Sequence, residues 1–186
     1  MEAEEKIRTS AVTGIALGLF VASGFMLYAR TLIGREGGVG WPKVFASIEQ
    51  DWPRVPQMDT GELARRLNAQ EEHRPFLIDV RSREEYNVSR LPDAVWADSP
   101  NQIRALARTV PAARPIVLYC SVGIRSSAAA QKLIDEGFPY VSNLKGSIFK
   151  WANEGRPLVQ DGKPAHQVHP YNKYWGRLLD RSYHPK

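Results

Sequence analysis

Residues 120–125 read CSVGIR, and they hold the only cysteine in the chain, Cys120. Cys120 follows an apolar run, IVLY, and Ser126 and Ser127 stand at the head of an alanine-rich stretch that reads as a helix. A thiol between the carboxyl end of a strand and a helix N-terminus sits where open α/β sheets place their ligands. Backbone N–H groups converge at such a turn, and they favour an anion together with the helix dipole and Arg125. For a cysteine that means a larger thiolate fraction and hence a nucleophile. Gly123 suits a loop that needs a positive φ or a close backbone approach. Against this stands the ordinary fate of a lone cysteine, which is to fill space as a small hydrophobe.

The elements around the loop can be read from periodicity. Residues 59–70 open on Asp59-Thr60, residue types that cap helices, and Leu63 and Leu67 share one helical face. Residues 76–80 form a short buried strand, and 82–86 a short helix capped by Ser82. A strand at 94–96, a helix at 101–109 and a continuously apolar strand at 115–119 follow. An uninterrupted apolar run is what a central strand covered on both faces requires. A helix over 126–137 stops at Gly137, and a strand at 140–144 and a helix at 148–153 complete the series. Such alternation implies an α/β fold with an open, mainly parallel sheet and helices on both faces.

These pieces, in this order, resemble the rhodanese domain over residues 59–159. The resemblance is carried by FLIDVRSREEY (76–86), IVLYCSVGIRSSAAAQKLIDEGF (116–138) and VSNLKGSIFKWANEGRPLV (141–159). In the last of these the usual Gly-x-x-x-Trp pattern at Gly146 and Trp151 is shifted by one residue. The resemblance implies a sulfurtransferase. The Cys120 thiolate would take a sulfane sulfur from thiosulfate or a persulfide and hand it from a cysteine persulfide to a thiophilic acceptor. It implies an anion-binding loop of Ser121, Val122, Gly123, Ile124, Arg125 and Ser126, supported by Asp79 and Arg81, with no cofactor and no metal. Asp79 and Arg81 match the family's Asp-x-Arg and read as a tie between the first strand and the neighbouring loop.

Loop length separates two chemistries on this fold. Sulfurtransferases of the family count six residues from cysteine to arginine, and the related phosphatases and arsenate reductases seven. Here Arg125 is the sixth and Ser126 the seventh, which favours sulfur over phosphorus or arsenic. Two departures matter. Ser121 stands where enzymes that favour thiosulfate often carry a basic residue. Arg90-Leu91-Pro92-Asp93-Ala94 replaces the family's His-Ile-Pro-Gly-Ala turn. The alternative reading is a sulfur carrier or docking module without steady-state turnover. The implied partner is a small sulfur compound or a persulfide-bearing protein.

Outside the domain, residues 9–29 contain no charged side chain. As a helix they would be about 31 Å long, enough to cross a hydrocarbon core of about 30 Å. Lys6 and Arg8 precede the span and Arg30 and Arg35 follow it. A single-pass membrane anchor is therefore expected, with a slight charge bias placing the domain on the cytoplasmic side. The chain then divides into a flank (1–8), the anchor (9–29), a linker and extended lead-in (30–58), the domain (59–159) and a basic, aromatic tail (160–186). Residues 41–57 hold three prolines and no clear period, hence the extended reading. The tail is expected to form a short helix over 173–180, packing Tyr174, Trp175 and Leu178 on the domain or resting on a membrane surface. His166, His169 and His184 lack the carboxylate or thiol company of a metal site and read as packing or solvated histidines. The net charge is +5 and the pI near 9.4. No nucleic-acid-reading motif accompanies that charge, so nucleic acid is not an expected partner.

Overall fold

The computed structural model of the chain describes residues 39–70 and 74–186. Residues 40–186 form one compact unit. The expected membrane span at 9–29 and its flank lie outside the described residues. Among those described, no helix is long and apolar enough to cross a membrane.

Five strands make one parallel sheet: β1 (Gln57–Met58), β2 (Phe76–Asp79), β3 (Val95–Trp96), β4 (Ile116–Tyr119) and β5 (Val141–Leu144), in the order β1-β5-β4-β2-β3. The central strand, β4, is buried at all its positions. In the register Phe76↔Ile116↔Val141, the residues Ile78, Ile116, Leu118 and Val141 face one side. They pack there with Ile103, Ala107, Ala130 and Leu133. The alternate residues Leu77, Val117 and Leu144 are equally buried, so both faces of the sheet are covered. The expected α/β architecture with its mainly parallel sheet is present.

The helices are α1 (Trp41–Asp51), α2 (Thr60–Leu67), α3 (Arg83–Val88), α4 (Pro100–Thr109), α5 (Ile124–Asp135) and α6 (Ser147–Asn153). Side chains of Asp59, Ser82 and Ser99 cap α2, α3 and α4. Ser82 and Glu85 form a reciprocal capping box. α1 and α4 pack against α5, and α2 packs against α6. The Thr60 hydroxyl ties the second pair by donating to Glu154 Oε2 at 2.6 Å.

The structure corrects the sequence reading at three places. The lead-in is not extended: residues 41–51 are the helix α1, with Val44 and Ile48 buried four residues apart. Pro42 is compatible with the helix because it lies in the first turn, where its missing N–H costs nothing. Pro53 and Pro56 fall beyond the helix end. α5 starts at Ile124, not Ser126, because Gly123 adopts φ 112° and turns the chain directly into the helix. The tail forms the 3-10 turns Trp175–Leu178 and Arg181–Tyr183 in place of one helix over 173–180. A hairpin, β6 (Leu158–Gln160) with β7 (Lys163–Ala165), precedes it.

Candidate active site

The β4–α5 turn places Cys120 immediately after the central strand. Cys120 is 1% exposed and belongs to the apolar cluster under α5. Its burial is therefore that of a packing cysteine, but its sulfur is addressed as an anion would be. The Gly123 N–H donates to Cys120 Sγ at 3.2 Å. Burial raises the thiol's pKa. The Arg125 charge, the Ser126 hydroxyl and the backbone N–H groups of Ser126 and Gly123 outweigh it, and the net effect is a lowered pKa. That is the combination expected to populate thiolate at a helix N-terminus.

Two glycines and one serine fix the loop. A Cβ on Gly123 would meet Ile48 Cδ1 at 3.1 Å and Asn143 Nδ2 at 3.2 Å, on a backbone that L side chains rarely adopt. Gly146 takes φ 79° before α6, and Ser147 follows at φ 51°. The Ser147 hydroxyl accepts from the Cys120 N–H and donates to Leu144 O, both at 3.1 Å. The N–H groups of Ile148 and Phe149 then donate to the carbonyls of Cys120 and Ser121. The first turn of α6 thus holds the loop by its backbone.

Arg125 does not point into open space. Its Nη1 and Nη2 donate to the two oxygens of Glu85, each at 2.8 Å, and Nη2 also donates to Ser121 Oγ at 2.9 Å. Ser121 Oγ donates to Glu85 Oε1 at 2.7 Å. Glu85 is 1% exposed. Burial would raise its pKa, but the hydrogen bonds and charge of Arg125, the charge of Arg81 and the Ser121 hydroxyl bring it down to about 2. The Arg125 guanidinium also lies over the Tyr171 ring, 4.6 Å from its centroid. On the far side of the loop, Ser126 Oγ donates to Asn143 Oδ1 at 2.6 Å, and Asn143 Nδ2 donates to Gln57 Oε1 at 2.7 Å.

Asp79 and Arg81 form a separate, fully buried ion pair. Arg81 Nη2 donates to Asp79 Oδ2 at 2.7 Å and to the Ser89 carbonyl at 2.6 Å. The pair joins the end of β2 to the chain leaving α3.

The family model described as "Rhodanese-like domain" matches residues 59–154, just over half of the chain. The chain belongs to the rhodanese-like domain family. A sulfurtransferase of Allochromatium vinosum is 33% identical over 105 residues, covering 56% of this chain and 95% of that protein. An adenylyltransferase and sulfurtransferase of Candida albicans is 32% identical over 46% of this chain, but only 21% of its own length is matched. A tRNA uridine(34) hydroxylase of Wigglesworthia glossinidia brevipalpis is likewise 32% identical, over 42% of this chain and 26% of its own. Among solved structures, the rhodanese-like domain of an Anabaena protein aligns with TM-score 0.51 and 27% identity, over 63% of this chain and 89% of that one. A thiosulfate sulfurtransferase from Pseudomonas aeruginosa shares the fold, with TM-score 0.56 and 18% identity over 73% of this chain and 25% of that one. The family match and the Allochromatium vinosum relative support a rhodanese-type, sulfurtransferase function.

The loop residues, 120–126, follow β4 as one turn into α5, while Asp79 and Arg81 pair with each other and bind the Ser89 carbonyl. Four further residues emerge that the sequence reading did not single out: Glu85, Asn143, Ser147 and Tyr171. Glu85 was visible as half of the Ser82-x-x-Glu85 capping signature, but its partner Arg125 is 40 residues away. Tyr171 lies beyond the matched family domain, and nothing in its sequence context points to the loop. The three histidines are engaged locally. The His166 ring lies tilted at 40° to that of Tyr183, with centroids 4.8 Å apart, His169 Nδ1 accepts from the Tyr171 N–H, and His184 Nε2 lies 3.1 Å from the carbonyls of Gly176 and Leu179.

Proposed function

We propose that the chain transfers sulfane sulfur through a persulfide on Cys120. The observation that carries this reading is a cysteine sulfur met by the Gly123 N–H at 3.2 Å, in a loop that closes on Arg125 as its sixth residue. The thiolate attacks the outer sulfur of a donor R–S–SH or of thiosulfate. A new S–S bond forms at Cys120 as the donor's S–S bond breaks, and its electron pair leaves with the thiolate RS⁻ or with sulfite. An acceptor thiolate or cyanide then attacks the outer sulfur, and the electron pair of the second S–S bond returns to Cys120. No external oxidant or reductant is consumed. This is covalent catalysis with a preformed nucleophile, so no general base is required. The loop amides stabilise the anion at either end of the cycle.

The six-residue loop speaks against phosphoryl or arsenate chemistry, and so does the engagement of Arg125. A guanidinium already paired end-on with Glu85 is not free to cradle a tetrahedral oxyanion. A carrier without turnover is the second reading, favoured by the 1% exposure of Cys120. Incubation with thiosulfate, and separately with a low-molecular-weight persulfide, followed by intact mass, tests the mechanism. The expected result is a gain of one sulfur that is absent in Cys120→Ala; no uptake from either donor by folded protein would refute it. Steady-state thiocyanate formation then separates enzyme from carrier.

A single-pass anchor at residues 9–29, with the domain on the cytoplasmic side, is proposed from the uncharged run and its flanking basic residues. Deleting residues 1–29 should move the protein from the membrane to the soluble fraction. Membrane association of the deleted form would shift the attachment to the tail.

A further inference from the structure

The segment that follows the family domain closes back on the catalytic loop, and it is firmly seated. Val168, Trp175, Leu178 and Leu179 are buried. The Val168 N–H donates to Tyr183 O at 2.7 Å. Asn153 of α6 binds the segment twice, donating from Nδ2 to Leu178 O and accepting at Oδ1 from the Asp180 N–H. Tyr171 is held within this segment at φ 63°, its N–H bonded to His169 Nδ1. Its ring, half-buried, lies 4.6 Å from the Arg125 guanidinium.

Arg125 is consequently restrained on two sides. Glu85 and Ser121 hold the ends of the guanidinium, and Tyr171 covers its face. The charges around the loop are matched, Arg125 with Glu85 and Arg81 with Asp79, and the residue after the nucleophile is the neutral Ser121. For a sulfonate arriving beside Cys120, the Arg125 guanidinium could turn towards it only by losing both the carboxylate and the ring. Desolvating a dianion without a new partner is costly. A donor whose leaving sulfur bears carbon brings no such group.

We propose that Tyr171, supplied from outside the family domain, is a positioning residue that clamps Arg125 against Glu85 and so directs the site towards organic persulfides and away from thiosulfate. This rests on the sulfur-transfer reading given above. The rate of Cys120 loading, followed by quenched intact mass against donor concentration, tests it with cysteine persulfide and thiosulfate as the two probes. The wild-type chain is expected to load faster from cysteine persulfide. In Tyr171→Ala the ratio of the two second-order rates should narrow by about threefold to tenfold, the size of one cation–π contact. The change should appear as a lower half-saturating thiosulfate concentration more than as a higher limiting rate. Tyr171→Phe keeps the ring and should restore the wild-type ratio. Tyr171→Leu, which keeps apolar bulk without a π-face, makes the same comparison if the alanine variant does not fold. Loading that falls equally for both donors, or a phenylalanine variant that behaves like alanine, overturns the role of Tyr171. Failure of the wild-type chain to load from either donor removes the sulfur-transfer reading itself.

Discussion

At the scale of single residues, the Ser126 hydroxyl has to serve two acceptors with one proton. It faces the Cys120 sulfur and it donates to Asn143 Oδ1 at 2.6 Å. A thiolate competes for that proton better than a thiol does, so the hydroxyl contributes to lowering the Cys120 pKa. Ser126→Ala should move the midpoint of the pH–rate profile for Cys120 alkylation upward. Below that midpoint the alkylation rate at fixed pH should fall, and circular dichroism would verify that the fold is retained. An unmoved midpoint would assign Ser126 to packing alone. The place of Cys120 at a strand end, ahead of a helix start, was legible in the sequence because it depends on local features: an apolar run, a glycine and an arginine within six residues. Glu85 and Tyr171 were not, because they act across 40 and 46 residues of chain, and no spacing rule spans such distances.

At the scale of elements, α1 is the part least foreseen and it buttresses the loop. Ile48 is 2% exposed, and its Cδ1 lies against the place where Gly123 lacks a side chain. Ile48→Ala would leave a void beneath the loop and is expected to cost about 2–5 kcal/mol, the range for truncating a buried isoleucine. Denaturant unfolding followed by tryptophan fluorescence measures the loss, and a cost below about 0.5 kcal/mol would place Ile48 outside the packed core. Strands β2–β5 and α2–α6 could be read from apolar runs, periodicity and caps, each a short-range signal. α1 escaped because three prolines suggested irregular chain, and only the placement of Pro42 in the first turn reconciles them with a helix. β1 escaped because two residues, Gln57 and Met58, carry no period of their own; pairing with β5 makes them a strand.

At the scale of the whole molecule, Glu85 links the acid limb of stability to the active site. Its carboxyl titrates near 2 in the fold, against an ordinary 4.5. A depressed folded-state pKa stabilises the native form fully above the free value, and that stabilisation is lost as pH falls from about 4.5 towards 2. The difference corresponds to about 3 kcal/mol. In Glu85→Gln the urea midpoint should lie lower at pH 6, and the gap to the wild-type chain should shrink as the pH approaches 2.5. A gap that stays constant over that range would locate the stabilising charge elsewhere. The overall α/β organisation, the parallel sheet and the position of the loop at the carboxyl edge of β4 were all readable, since the order of elements largely determines them. The path of residues 160–186 was not. It is set by burial of Val168, Trp175, Leu178 and Leu179 and by the backbone bonds of Asn153, contacts with no periodic signature.

The hydrogen bond from the Gly123 N–H to Cys120 Sγ acts in both directions of traffic. A sulfur so stabilised as an anion is a somewhat weaker attacker per thiolate, since nucleophilicity falls with basicity. It is correspondingly a better leaving group once it carries a second sulfur. Under the proposed cycle, the loop that makes Cys120 ready to receive a sulfur atom also makes it quick to surrender one. A mutation that relaxes the loop should therefore show first as cargo that stays bound, with the persulfide accumulating on Cys120 before its formation becomes slow.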